Sequence, residues 1–268
     1  MSEDITRAAE ADEGRVRLAL REGVAEVVFD RPAARNAMTW AMYQALEGIC
    51  SRLAADPEVR VVLFRGVGGQ AFVAGTDIAQ FRGFSSGADG VAYEQRIDAL
   101  IDGVAALPMP TVSLVEGFAV GGGLAIATAC DFRLATPDAR FGVPIARTLG
   151  NCLSIANLAR LRDAFGTQRV KRMLLLAEML GADEALACGY LHGVHAREAI
   201  GQQASALCAS LAALAPVTQA VSKEGLRRLA LAALPQGDDL IRRCYGSEDF
   251  REGVAAFLQR RPPAWKGA

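Results

Sequence analysis

The chain has 268 residues, 51% of them hydrophobic and 22% charged, which is material for one large core and excludes disorder as the dominant state. A formal net charge of -1 excludes a strongly basic, phosphate-tracking surface, so no nucleic-acid partner is expected. Six cysteines stand singly, and only His192 and His195 could join them at a metal; reduced thiols, no metal site and a cytoplasmic location are the expectation.

Residues 1–14 are acidic and polar, with neither a basic n-region nor an apolar h-region, and read as a frayed tail without a secretory signal. Residues 15–20 and 24–30 alternate apolar and polar side chains around Arg21-Glu22-Gly23, which predicts a hairpin ended by Arg31-Pro32. Thr39 caps a predicted helix over 40–55, where Met42, Leu46, Ile49, Cys50 and Leu53 recur at helical spacing. A buried strand follows at 59–64, and 71–75 is extended again. The glycines and serines of 80–90 predict a mobile loop rather than an element. A helix over 91–107 stops at Pro108 and Pro110, a strand over 111–115 leads into Gly121-Gly122-Gly123, and a helix over 123–128 precedes a strand at 132–135. From Leu153 the chain reads almost wholly helical, with a tail helix over 249–260. Asp102, Pro108, Pro110 and Glu116 break the longest apolar stretch, so no bilayer span or membrane partner is expected. Strand, helix and strand recurring with short connections predict a layered α/β domain.

Three consecutive glycines between an extended and a helical apolar segment let bare N–H groups reach a helix start, where the helix dipole favours developing negative charge. A tight turn is the plainer alternative. Two other motifs lack their context. Gly66-x-Gly68-x-x-Ala71, with Asp89 beyond it, matches a loose dinucleotide fingerprint, but an extended segment stands where that fingerprint needs a helix. Gly83-Phe84-Ser85-Ser86-Gly87 satisfies G-x-S-x-G, yet no apolar strand leads into Ser85, and neither His192 nor His195 has an evident partner.

Arg31-Pro32-x-x-x-Asn36-Ala37-Met38, Ala71-Phe72-Val73-Ala74-Gly75-Thr76-Asp77-Ile78, the triple glycine and Phe141-Gly142-Val143-Pro144 occur in an order and spacing that resemble the crotonase superfamily, the enoyl-CoA hydratase/isomerase family. The likeness continues through Ala182–Val194 and Glu252-Gly253-Val254-x-Ala256-Phe257, and so covers nearly the whole chain. It implies a spiral of repeated ββα units over 15–200, with a helical region over 201–268 that builds homotrimers, often paired into hexamers. It also implies an acyl-CoA thioester as ligand, with coenzyme A entering as part of the substrate and no separate cofactor. Carried over by position, the backbone N–H groups of Thr76 and Gly122 would form an oxyanion hole. Ala74, Asp77, Ile78, Gly121, Ile145 and Thr148 would line the thioester's path, and Phe257 and Arg260 would contact CoA, often that of a neighbouring subunit.

The chain departs from the family's hydratases at both glutamates that move protons: Ala125 and Ile145 stand in their places, and neither carries a proton. The isomerases' glutamate is lost with the second. Glu94 and Asp98, one helical turn apart, are the first candidates for a relocated acid or base, against a plain solvated face shared with Arg96. Asn151 and Thr148 could orient a polar group, and Cys152 could act as a nucleophile if Arg147 favoured its thiolate. Asp77 and Asp131 read as structural braces. The expected function is therefore enolate-stabilising chemistry of the enoyl-CoA hydratase/isomerase type. A non-catalytic CoA-ester binding protein and a crotonase-type hydrolase or decarboxylase are the alternatives.

Overall fold

The structure is a computed structural model that describes residues 13–267, so nearly all of the predicted tail lies outside the described residues. The elements run β1 (Arg15–Arg21), β2 (Val24–Asp30), α1 (Trp40–Ala55), β3 (Val61–Gly66), β4 (Ala71–Val73), α2 (Gly87–Ala105), β5 (Thr111–Val115), β6 (Phe118–Val120), α3 (Gly122–Ala129), β7 (Phe132–Ala135), β8 (Arg140–Gly142), α4 (Ile145–Thr148), α5 (Ile155–Phe165), α6 (Thr167–Leu175), β9 (Leu180–Gly181), α7 (Ala182–Ala187), β10 (Gly193–Val194), α8 (Arg197–Ala212), α9 (Pro216–Leu231), α10 (Asp238–Tyr245) and α11 (Glu248–Leu258), with short 3-10 helices at Pro32–Ala34 and Ile78–Gly83.

The predicted hairpin forms because Glu22 and Gly23 both take positive φ, at 50° and 77°, which turns the chain within two residues and pairs Arg21 with Val24. From β2 onward the larger sheet is parallel, in the order β1-β2-β3-β5-β7-β10; β4, β6, β8 and β9 make a second sheet. Each circuit lays one strand in each sheet and returns through a helix, as β3-β4-α2, β5-β6-α3 and β7-β8-α4. Every residue of β5 is buried, as a parallel strand covered on both faces requires. On one face the aromatic rings join the sheets, Phe29 of β2 meeting Phe72 of β4 edge-on at 5.4 Å. On the other lies α8, whose Ile200, Ala204, Cys208 and Leu211 cover Val61, Val112, Leu114 and Leu134. The boundary expected at residue 200 thus falls inside a helix that belongs to the sheet's outer layer.

The helix over 40–55 starts and stops as predicted, with Thr39 accepting the Met42 N–H at 3.2 Å. The mobile loop expected over 80–90 is replaced by the end of the 3-10 helix and the first turn of α2. Asp89 reaches back to accept from the Ser85 and Ser86 N–H groups, each at 2.8 Å, and Phe81 and Phe84 pack against Tyr93 and Phe250. Sequence reading also missed β6, which intervenes between β5 and the triple glycine, and β8. Two-residue β9 and β10 interrupt the region expected to be helical. Strands this short show no alternation to read.

Two close approaches position the cavity described below. Asn36, fully buried and at φ 59°, accepts the Arg31 N–H at 2.9 Å and donates to the carbonyls of Val67 at 3.0 Å and Ala71 at 2.8 Å, tying the loop after β2 to β4. The start of α3 sits against β4 so closely that a Cβ on Gly123 would lie 2.0 Å from the Val73 carbonyl oxygen. Gly123→Ala is therefore expected to lose about 3 kcal/mol or more in urea unfolding. Gly48→Ala, where a Cβ meets nothing within 4 Å, is the control and should stabilise by about 0.5–1 kcal/mol.

Candidate active site

A cavity of about 450 Å³ opens between the turn after β4, the start of α3, the middle of α2, the segment from α4 to Leu153, and the end of α11. Thr76, Gly122, Glu94, Asn151, Ala74, Asp77, Ile78, Gly121, Ile145, Thr148 and Phe257, singled out from sequence, all line it, as does Ala125. Arg260 does not: it is exposed at φ 54° just past the end of α11.

Backbone geometry leaves two N–H donors in this wall. The parallel bridge between Met38 and Thr76 uses Met38 N–H to Gly75 O at 2.8 Å and Asp77 N–H to Met38 O at 2.9 Å, which leaves the Thr76 N–H outside the ladder. Gly122 is the first residue of α3, so its N–H has no acceptor within the helix. Gly121, at φ 52° and ψ -118°, makes the turn and donates to Gly142 O at 3.1 Å, fixing the helix start to β8. Asp77 itself is structural: it caps the following 3-10 helix through the Ala79 N–H at 3.0 Å and pairs with Arg31 at 2.8 Å.

Glu94 is 2% exposed and faces the same cavity. Its Oε1 accepts the Tyr245 hydroxyl at 2.5 Å and its Oε2 the Ser154 N–H at 3.1 Å. Burial pushes its carboxyl up to about 7; the bonds from Tyr245 and Ser154 oppose the shift, and Asp98 adds to it. Asp98 lies on the same face of α2, as the i, i+4 spacing predicted, and accepts the Ser154 hydroxyl at 2.6 Å and the Asn157 amide at 3.0 Å. Arg96 turns elsewhere, its guanidinium 4.5 Å from the Trp40 ring centroid. Asn151 donates to the Tyr245 hydroxyl at 3.2 Å and so supports Glu94 through it. Thr148 bonds back to Pro144 O at 3.0 Å.

A second polar group was not foreseen: the Thr76 hydroxyl lies 2.7 Å from the Tyr43 hydroxyl and 2.9 Å from that of Tyr93. Tyr93 stood beside Glu94 in the sequence and could have been noticed, whereas Tyr43 and Tyr245 come from distant elements and left no local signal. Cys152 is no activated nucleophile, since hydrogen bonding with Cys244 and burial hold its thiol well above the ordinary range. Ser85 is exposed and donates to Asp89, and His192 packs edge-on against Phe132 at 5.6 Å. Asp131 braces the fold, accepting from Thr111 N–H at 2.7 Å and Lys223 at 2.7 Å. No group of three or more His, Cys, Asp or Glu among the described residues could hold a metal, and no single helix there is long and apolar enough to cross a membrane.

The family model described as enoyl-CoA hydratase/isomerase matches residues 19–268. The chain belongs to that family. Human enoyl-CoA hydratase domain-containing protein 2, mitochondrial, is 32% identical over 255 residues, covering 92% of this chain and 86% of that protein. The (E)-benzylidenesuccinyl-CoA hydratase of Thauera aromatica is 32% identical over 271 residues, covering 94% and 99%. Among solved structures, a methylmalonyl-CoA decarboxylase in complex with 2-nitronate-propionyl-CoA superposes with a TM-score of 0.86 at 28% identity, covering 94% of this chain and 98% of that one. The two-sheet spiral described above is thus the crotonase fold, and this enoyl-CoA hydratase/isomerase family member carries one buried carboxyl among the described residues, that of Glu94, in the wall of the cavity beside the triple glycine.

Because the Glu94 carboxyl is raised from 4.5 to about 7 in the folded chain, folding favours its neutral form. That contribution is complete below about pH 4.5 and is lost as pH rises through about 7. Wild type is therefore expected to lose up to about 3 kcal/mol relative to Glu94→Gln between pH 4.5 and 8 in denaturant titrations. Tyr245→Phe removes a donor to the carboxylate, and carbon-13 titration should then place the Glu94 carboxyl above its wild-type value.

Proposed function

We propose that this chain catalyses proton transfer on an acyl-CoA thioester, with the Thr76 and Gly122 N–H groups holding the thioester oxygen and Glu94 as the acid and base. The observation that carries this reading is a buried carboxyl, raised to about 7, in one cavity with two backbone donors that have no acceptor among the described residues. Ionised Glu94 removes a proton from carbon next to the thioester system, charge moves onto the thioester oxygen, and each backbone donor contributes about 3 kcal/mol to holding it there. The acid so formed returns the proton to another carbon. With Ala125 and Ile145 flanking the same space, one group must do both steps, which suits migration of a double bond better than addition of water, where acid and base act together. Ile97, Val143, Leu149 and Leu153 favour an apolar acyl group, and Arg31, Arg35 and Phe257 line the cavity where coenzyme A would enter as part of the substrate.

Glu94→Gln should lower turnover of 3-enoyl-CoA esters by about 10²-fold or more while leaving acyl-CoA affinity within a few-fold, followed by ultraviolet absorbance and calorimetry. In wild type, kcat/KM should rise with pH through about 7, since the base must be ionised in the free enzyme. A gain of one water, seen by mass spectrometry, would replace isomerisation with hydration, and loss of carbon dioxide from a malonyl-type thioester would replace it with decarboxylation. The absence of any charged residue at Ala125 and Ile145 favours a second reading, a CoA-ester binding protein without turnover. Tight binding with no change in any ester would establish it.

Self-association into a trimer or hexamer belongs to the same reading. Helix α9 has no buried residue and exposes Val217, Val221, Leu226 and Leu229, apolar surface spread over half the helix that further copies would cover. Sedimentation should give a trimer or hexamer, and Val221→Glu with Leu229→Glu should give smaller species.

A further inference from the structure

The Tyr43 and Tyr93 hydroxyls are buried, their residues 2% and 8% exposed. Each has one hydrogen-bond partner among the described residues, and it is the same one, Thr76 Oγ1. A buried phenol that finds no acceptor for its proton is costly. If Thr76 donated to either tyrosine, that tyrosine's own proton would be left without an acceptor. Tyr93 also borders the cavity, so both protons find acceptors within the protein itself, with no water or ligand needed, only when both tyrosines donate to Thr76, filling the two acceptor positions of its oxygen. The Thr76 proton must then point away from both tyrosines, and Thr76 lines the cavity.

The hydroxyl also lies beside the second backbone donor. A Cβ built on Gly122 would sit 3.4 Å from Thr76 Oγ1 and 2.7 Å from Tyr43 Oη, so only glycine leaves room for this arrangement against the helix start. We propose that the Thr76 side-chain hydroxyl is a third donor to the thioester oxygen, beside the Thr76 and Gly122 N–H groups, aimed into the cavity by Tyr43 and Tyr93. This rests on the thioester reading above and adds to it a side chain that acts on the reacting oxygen. Tyr43 and Tyr93 are positioning residues, since they act only through Thr76. No proton leaves the threonine; the bond strengthens as charge grows on the acceptor.

The test uses 4-dimethylaminocinnamoyl-CoA, an arylacryloyl thioester whose absorption band moves to longer wavelength as donors polarise its carbonyl. Wild type should shift the band on binding, and Thr76→Ser, which keeps the hydroxyl, should match it. Thr76→Val and Thr76→Ala should each lose about one third of the shift, as three comparable donors become two. Tyr43→Phe with Tyr93→Phe should give a shift between wild type and Thr76→Ala, with kcat lowered more than KM is raised. If Thr76→Val does not fold because it strands two phenols, Thr76→Ala still decides, having space for a water. A full wild-type shift in a folded hydroxyl-free variant would overturn this inference and leave the backbone donors standing. Binding without any band shift in wild type would overturn the thioester reading itself.

Discussion

The contact on which the site depends is the packing of α3 against β4 with no side chain between them. At the distance set by Gly123 and the Val73 carbonyl, any Cβ would force the helix away from the strand. Holding the two backbones this close brings the first N–H of the helix to the same wall as Thr76, three residues beyond β4. The repeated strand-strand-helix circuit then supplies the rest. The third circuit brings β8 beside β6, where Gly142 O takes the Gly121 N–H and keeps the helix start from fraying. Glycine serves here for closeness as much as for its freedom at positive φ.

Glu94 illustrates a different constraint, because an isolated carboxyl in such a site would simply stay protonated. Burial disfavours the charge, and two donors from remote parts of the chain, the Ser154 N–H and the Tyr245 hydroxyl, restore part of what is lost. The balance leaves it near neutrality, where a carboxyl can both take and return a proton at similar cost. Its neighbours are satisfied in turn: Asp98 binds Ser154 and Asn157, while Asp102, at the outer end of that row, meets Arg160 and Arg227. Burial raises Asp98 as well, but Ser154 and Arg160 pull it back, and Glu94 is the carboxyl of this row that is raised furthest.

What sequence could reveal follows from how local each interaction is. Thr39 capping α1, the hairpin turn at Glu22 and Gly23, and the Glu94 and Asp98 face of α2 are each decided within a few residues, and each was readable. The family motifs carried the remaining lining residues to the cavity because they mark backbone positions rather than side-chain chemistry. Residues 80–90 misled because glycine and serine content argues for a loop, while the Asp89 carboxylate and the Phe81 and Phe84 rings, whose partners lie elsewhere, decide otherwise. Arg260 stands outside the cavity wall, since the helix before it ends two residues earlier. Tyr245 and Tyr43 could not be read at all: their roles exist only once α10 and α1 have packed around α2 and the β4 turn.

The site's polarity is arranged in two separate sets, and their separation has a chemical consequence. The hydroxyls of Tyr43, Thr76 and Tyr93 are neutral, with buried phenols held well above their ordinary range, so they remain donors at every working pH. Glu94, next to Tyr93 on α2 and lining the same cavity, is the group that changes state near neutrality. In the proposed reaction a thioester oxygen held by the Thr76 hydroxyl would gain charge as Glu94 takes a proton, and neither phenol would titrate in response. In that reading stabilisation of the oxygen would be independent of pH, while movement of the proton would not. An enzyme with two titrating glutamates on the reacting carbon would couple their charges and split their titrations. Here Ala125 and Ile145 line the same cavity in place of further glutamates, and the shift of Glu94 is set by burial, two hydrogen bonds and the nearby Asp98.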